Sequence, residues 1–431
     1  MPQNRRLFVK QLTALAGAFS ANSLFDIAHA ADFAQASKQV THLTDAEIAA
    51  DEDYWATIQE AYTVNSNIII LNNGGVSPAP LVVQQALARY NDLANQGPSY
   101  YNRIIDMGRE PLREKLALLA GASPDEIAIN RNTTEALNTV IYGLDLKAGD
   151  EVVGTKQDYP NMIQAYRQRA MRDGIVYKQL SFDFPIENDE QIVKAFADAI
   201  TPKTKLLHVT HIINWVGQIM PVQKICRMAH SRGVEVLVDG AHSFGLLDFK
   251  IPDLECDYFG TSLHKFLSAP IGSGMLWIKK EKIAKIWPLL CNDKPHSDDI
   301  RKFETLGTRS FAIEQAIGEA VNFHNAIGSK RKEARVHYLK YYWASRAAQI
   351  PKVRIHTSLK QQYSCAICGV NVDGMTPAEL DSMLMNKYKI HTVSIVWENI
   401  SCVRVTPHVY TKLADLDKLV KALTEIAANA K

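Results

Sequence analysis

Two kinds of apolar spacing alternate along this chain. Short, largely β-branched runs recur at residues 68–71, 126–129, 151–155, 206–211, 234–239, 257–260 and 275–278. Runs this short with few polar positions predict strands buried on both faces. Between them, apolar residues return every three or four positions at 81–95, 110–120 and 135–142, which predicts helices with one buried face, and a further helix opens at Asn161. The polar stretch 45–62 predicts a helical arm, and a helical pattern runs from Phe311 to about Gln349. Beyond it, predicted strands at 353–357, 365–372, 391–396 and 402–406 alternate with helices at 377–388 and 415–428. Alternation of this kind predicts an α/β fold, with residues 31–80 as an N-terminal arm, 81–325 as a large domain and 326–431 as a small C-terminal domain.

Residues 1–30 read differently. Asn4-Arg5-Arg6-Leu7-Phe8-Val9-Lys10 is a twin-arginine pattern, a weakly apolar run follows, and Ala28-His29-Ala30 has the small-x-small form of a signal-peptidase site. The run is short and rich in small and polar residues, so the expectation is a cleaved twin-arginine signal peptide and an exported, periplasmic chain with no membrane anchor. The formal charge of the full chain is +2, and removing residues 1–30 leaves equal numbers of acidic and basic side chains. A neutral chain without a basic face argues against a nucleic-acid partner or an anionic membrane.

The candidate chemistry lies between residues 234 and 274. The strand that begins at Val234 ends on Asp239-Gly240, which delivers an acidic side chain to the carboxyl edge of a sheet. Some twenty residues on, Thr261-Ser262-Leu263-His264-Lys265 lies between two apolar runs, where a lysine is costly unless it has a chemical task. Pyridoxal 5'-phosphate (PLP) chemistry supplies one. A lysine that binds PLP covalently needs a pocket that lowers its pKa, and the cofactor's ring nitrogen needs an acidic partner. Lys265 and Asp239 fit these two roles.

On Val238-Asp239-Gly-Ala-His242, Ser262-Leu-His264-Lys265, Asn132-Thr133-Thr134-Glu-Ala-Leu-Asn138 and Val403-Arg404-Val-Thr-Pro-His408, the chain resembles the class V aminotransferases among fold-type-I PLP enzymes, and their isopenicillin-N-epimerase-like branch in particular. The resemblance implies a mainly parallel, seven-stranded sheet in the large domain and a homodimer. Lys265 is then the covalent anchor and proton-transfer base, and Asp239 the partner of the ring nitrogen. Thr133, Thr134, Ser262 and His264 bind phosphate, joined by Thr308 from the neighbouring subunit. Tyr159 stacks on the ring; Asn214 and His242 lie near its 3-oxygen or the lysine. Arg404 pairs with a substrate carboxylate, and the turn carrying Asn73 lies at the entrance. At Trp215 the chain departs from the desulfurase pattern, and His242 stands where some relatives have glutamine.

The implied activity is chemistry at the α-carbon of an amino acid or amino-acid-like substrate, by epimerisation or by transamination. Desulfurase-type chemistry, or an exported ligand-binding protein of the same fold without turnover, remains as the alternative. No cysteine occurs in residues 387–396, where a desulfurase of this family carries its nucleophile, and Cys365-Ala-Ile-Cys368 reads as two core cysteines. Epimerisation needs proton delivery to the second face of the α-carbon, by a second acid or through a reorienting intermediate; Tyr100, Tyr101 and His408 are candidates for the acid. Side-chain selectivity is expected from loops at 97–107 and 293–305.

Overall fold

In the computed structural model, which describes residues 35–430, the short apolar runs become strands and the 3.6-period runs become helices. The expected signal at residues 1–30 lies outside the described residues. In chain order the strands are β1 (Ile69–Ile70), β2 (Ile127–Asn130), β3 (Glu151–Thr155), β4 (Val176–Leu180), β5 (Thr204–Thr210), β6 (Glu235–Asp239), β7 (Tyr258–Ser262), β8 (Gly274–Ile278), β9 (Val353–Ile355), β10 (Cys368–Val372), β11 (Ile390–His391), β12 (Val393–Trp397) and β13 (Ile400–Val405).

Seven of these form one sheet in the order β2-β8-β7-β6-β5-β3-β4. β3 to β7 are parallel, and β8 runs against both of its neighbours. Successive side chains of a strand point to opposite faces, so β5 and β6 feed two cores. Leu207, Val209, Val236 and Val238 pack on one side with Leu112, Ile225 and Phe266. Leu206 and Leu237 pack on the other with Leu137, Val140, Met162 and Tyr166.

The parallel registers set Thr210, Asp239 and Gly260 side by side at the carboxyl edge. Helix Thr133–Gly143 crosses β7 at Gly260, where a Cβ would lie 2.7 Å from Leu137 Cδ2 and 2.9 Å from Ala136 Cβ. Glycine therefore lets this helix bring its N-terminus close to the sheet edge.

The second sheet, β12-β13-β10-β9, is antiparallel and has its own core, in which Val370, Val403 and Val405 meet Leu339, Trp343, Leu380, Leu416 and Leu423. Leu71 joins that core, and β1 pairs with β11, so residues 69–71 are threaded into the second sheet's side of the molecule. The expected continuous helix after Phe311 is broken at Gly328 (φ +94°) into Phe311–Ile327 and Ser329–Ala347. The arm is likewise two helices, Asp45–Ala50 and Glu52–Gln59, and Asp51 caps the second through Tyr54 N at 3.0 Å.

Neither expected selectivity loop is simply a loop. Residues 97–107 hold the helix Pro98–Asp106, with Pro98 in its first turn, where the missing N–H costs nothing. Residues 293–305 end in the 3-10 turn Ile300–Glu304, whose Glu304 is clamped by Arg113 at 2.6 and 2.8 Å and by Ile129 N at 2.6 Å.

Candidate active site

Lys265 stands just past the end of β7, in a turn that Ser268 N closes on the Lys265 carbonyl at 3.0 Å. Its Nζ lies 2.9 Å from His242 Nε2. Burial pushes Lys265 down to about 8; Asp239 opposes that fall and Arg404 adds to it. Burial, with the positive charge of Lys265, also holds His242 well below its ordinary value, so the imidazole is neutral and accepts from the lysine. The neutral ring then carries its proton on Nδ1, which is buried and has no partner among the described residues. Behind the turn, Lys332 Nζ donates to the Phe266 carbonyl and pins the residue next to the candidate anchor.

Asp239 is the last residue of β6 and only 4% exposed. Its Oδ1 accepts from Ala241 N at 2.9 Å, while burial raises its pKa against the opposing pull of His208. Two strands away, just past β3, the fully buried Asp158 takes hydrogen bonds from Thr155 N (2.7 Å), Thr155 Oγ1 (2.9 Å) and Thr210 Oγ1 (2.8 Å). That clamp fixes the strand end from which Tyr159 projects, 42% exposed.

The phosphate-type residues gather at the N-terminus of helix Thr133–Gly143. Asn132 caps it through Glu135 N at 2.9 Å, and Ser262 Oγ accepts from Thr133 N at 2.9 Å and meets Thr133 Oγ1 at 2.7 Å. No hydrogen bond uses the Thr134 amide among the described residues, which leaves a donor at the positive end of the helix dipole. His264 Nδ1 lies 3.0 Å from the Ser273 carbonyl and donates to it, which leaves Nε2 for another group. Thr308 is exposed.

Strand alternation aims Arg404. Val403 and Val405 point into the small-domain core, so Cys402 and Arg404 face the large domain. Arg404 Nη1 donates to the Asn214 carbonyl at 2.9 Å and Nη2 to Asn72 Oδ1 at 2.8 Å, while its buried Nε has no partner among the described residues. The small domain also grips the large one beside Tyr159. Trp397 Nε1 donates to the Lys156 carbonyl (2.7 Å), Gln157 Nε2 to Asn399 Oδ1 (2.7 Å), and the rings of Trp215 and Trp397 stack at 5.8 Å.

Two expectations fall differently. Asn73 is fully buried, with its amide spent on the Ile70 and Thr406 carbonyls and its Oδ1 on Tyr410 Oη, so Asn72 is the member of that pair that reaches Arg404. His408 does not line an entrance. It is fully buried, 3.3 Å from Ser268 Oγ and stacked on Phe266. Tyr100, by contrast, is 64% exposed and meets Tyr101 edge-on. Sequence reading missed Asn72, Asp158, His208 and Tyr166. Asp158 alone had a local signal, an acidic residue at a strand end just before Tyr159.

A seven-stranded, mainly parallel sheet with a lysine, an aspartate and a helix N-terminus converging at its carboxyl edge defines a fold-type-I PLP enzyme. The family model for class-V aminotransferases matches residues 69–419, and the chain belongs to that family. It is 26% identical over 392 residues to an isopenicillin N epimerase from Amycolatopsis lactamdurans, covering 86% of this chain and 98% of the relative. It is 30% identical over 342 residues to a probable cysteine desulfurase from Synechocystis, covering 74% and 79%. Among solved structures, the apo cysteine desulfurase from Thermococcus onnurineus superposes with a TM-score of 0.77 at 22% identity, covering 86% of this chain and 98% of that one. A C-DES mutant with glycine covalently linked to the PLP cofactor gives 0.77 at 23%, covering 85% and 99%.

The donor set fits PLP. A buried amine with a lowered pKa, a buried carboxylate and a free amide at a helix N-terminus stand together, and the unpartnered Asn214 Oδ1, His242 Nδ1 and Arg404 Nε are buried polar atoms that a bound cofactor and substrate would satisfy. All six cysteines are free, and only Cys291 is exposed. Burial raises the thiols of Cys226, Cys256, Cys365, Cys368 and Cys402.

Proposed function

We propose that this class V PLP enzyme removes and returns the α-proton of an amino acid or amino-acid-like substrate, and that its reaction is epimerase-like rather than a transamination. PLP, when bound, supplies an electron sink for the charge left on the α-carbon. Lys265 anchors the cofactor and then holds the α-proton at Nζ. The neutral His242 orients that nitrogen by accepting one of its hydrogens. Asp239 faces the ring nitrogen, and the turn at Thr133–Thr134 with Ser262 and His264 Nε2 holds phosphate. Arg404 pairs with the substrate carboxylate through Nε and its free Nη hydrogens, because a guanidinium presents a planar bidentate fork.

The observation that carries this reading is the placement of Lys265, whose amine is depressed to about 8 and meets a neutral imidazole at 2.9 Å. A base works best with a pKa near the working pH. The five buried thiols, raised away from thiolate, and the cysteine-free 387–396 segment weigh against desulfurase chemistry, which needs a thiolate nucleophile.

The same reading makes the protein a homodimer whose exposed Thr308 serves the neighbouring site, and an exported one, on the strength of Arg5-Arg6 and Ala28-His29-Ala30. The test incubates the loaded enzyme with L-amino acids and amino-terminated peptides in heavy water, with and without a keto acid. Deuterium at the α-carbon with D-product and no keto acid is the expected result. Keto acid formed in step with an aminated acceptor means transamination, alanine with released sulfide from cysteine means desulfuration, and binding without exchange means a non-catalytic protein.

A further inference from the structure

We propose that His208 is a positioning residue that holds the Asp239 carboxylate ionised beneath the cofactor, with Tyr166 setting the tautomer that lets it do so. This rests on the reading of Asp239 as the partner of the ring nitrogen.

His208 is fully buried in the middle of β5. Its Nδ1 lies 3.2 Å from Tyr166 Oη, and the two rings meet edge to face at 5.5 Å. Tyr166 is itself fully buried and stacked on Tyr177 at 4.8 Å, so its phenol keeps its proton. In the proposed tautomer the phenol O–H donates and Nδ1 accepts, so the neutral imidazole carries its own proton on Nε2. That Nε2 is buried and has no partner among the described residues. An unpaired buried N–H is costly, so a donor left in this position calls for an acceptor.

The sheet register supplies one. His208 and Thr210 share a face of β5, and Thr210 lies directly opposite Asp239 on β6, so the Asp239 carboxylate is the diagonal neighbour of the imidazole. Asp239 is also the charged group that acts on His208. Asp158, the other buried carboxylate nearby, is already filled by Thr155 N, Thr155 Oγ1 and Thr210 Oγ1. Asp239, in contrast, has one protein donor, Ala241 N, which leaves lone pairs both for His208 Nε2 and for the ring nitrogen.

Donation from Nε2 favours the ionised carboxylate and offsets the burial that pushes Asp239 toward its neutral form. Without that N–H the carboxyl gains a proton more easily, and the ring nitrogen loses its anionic partner. The strand that carries His208 thus tunes the cofactor from a position that touches neither cofactor nor substrate.

The test loads the enzyme with PLP labelled with nitrogen-15 in the ring and reads the ring-nitrogen resonance, a readout that does not depend on turnover. Wild type should show the protonated position. Asp239→Asn should move the signal to the unprotonated position, which checks the underlying reading separately. His208→Leu should move it in the same direction, with a roughly tenfold lower kcat and an unchanged KM. His208→Gln, which places an amide N–H near Nε2, should restore most of the wild-type signal. Should His208→Leu not yield folded protein, Tyr166→Phe decides, because it removes only one buried oxygen and should also move the signal. A wild-type resonance in His208→Leu, or in Tyr166→Phe where that variant decides, alongside a shifted Asp239→Asn, overturns the role of His208. An unshifted Asp239→Asn overturns the reading beneath it.

Discussion

Lys265 Nζ meets His242 Nε2 at 2.9 Å, so an imidazole rather than a carboxylate receives the lysine's hydrogen. A carboxylate in that place would hold the lysine protonated and raise its pKa. A neutral histidine orients the amine and leaves burial free to lower it to about 8.

Cofactor capture should report that depression directly. Only the neutral amine attacks PLP, so the capture rate of the apo-protein should rise with pH and reach half its maximum near 8. An unperturbed lysine would place the midpoint near ~10.4. Stopped-flow absorbance across pH 6 to 10, run beside a free-lysine analogue, separates the two.

Lys332 gives a stability prediction. Burial lowers it to about 7 in the folded chain, below its unfolded value, so between those two values the unfolded state binds more protons and stability rises with pH. Below the folded value both states are protonated and the contribution stops changing. Lys332→Met should lose up to about 1.4 kcal/mol of that rise per pH unit. Urea unfolding at pH 7, 8 and 9 tests this; parallel trends for wild type and variant would show that Lys332 is not depressed.

Arg404→Lys keeps the charge and loses the fork. KM for substrates with a free α-carboxylate should rise about 30-fold, the factor that ~2 kcal/mol of lost pairing gives. Matching amides should be nearly unaffected, and equal losses on both would remove Arg404 from the carboxylate site.

What the sequence displayed and what it hid follow from where the information lies. Asp239 and Lys265 were legible because strand ends and turns are local patterns, and strand Glu151–Thr155 and helices Leu81–Asn95 and Pro377–Tyr388 kept their expected bounds for the same reason. β4 escaped because Val-Tyr-Lys-Gln-Leu is a sheet edge, with one exposed and four half-buried residues and no apolar run. Helix Val222–His230 escaped although Val222, Ile225, Cys226 and Ala229 keep a helical apolar spacing, because nine residues are short for a period of 3.6 to stand out. The placement of His208 diagonal to Asp239, and the hydrogen bond from Arg404 to Asn72, depend on register between strands and on docking between the two sheets, which single-sequence spacing does not encode.

Export is tested at the pair Arg5-Arg6. Changing both to lysine should retain the precursor inside the cell, while exported wild-type protein should begin at or near Ala31. Unchanged export of the double variant would rule out the twin-arginine route.

The most direct measurement is borohydride reduction of the holoenzyme followed by mapping of the modified lysine. Lys302, Lys332 and Lys340 are also lowered by burial, so a depressed pKa alone does not select the anchor. The account predicts the added phosphopyridoxyl mass on Lys265 and none on the other three, with Lys265→Ala unlabelled. Label on Lys332, Lys302 or Lys340 in the wild type, or no label on a protein that has bound PLP, would contradict it.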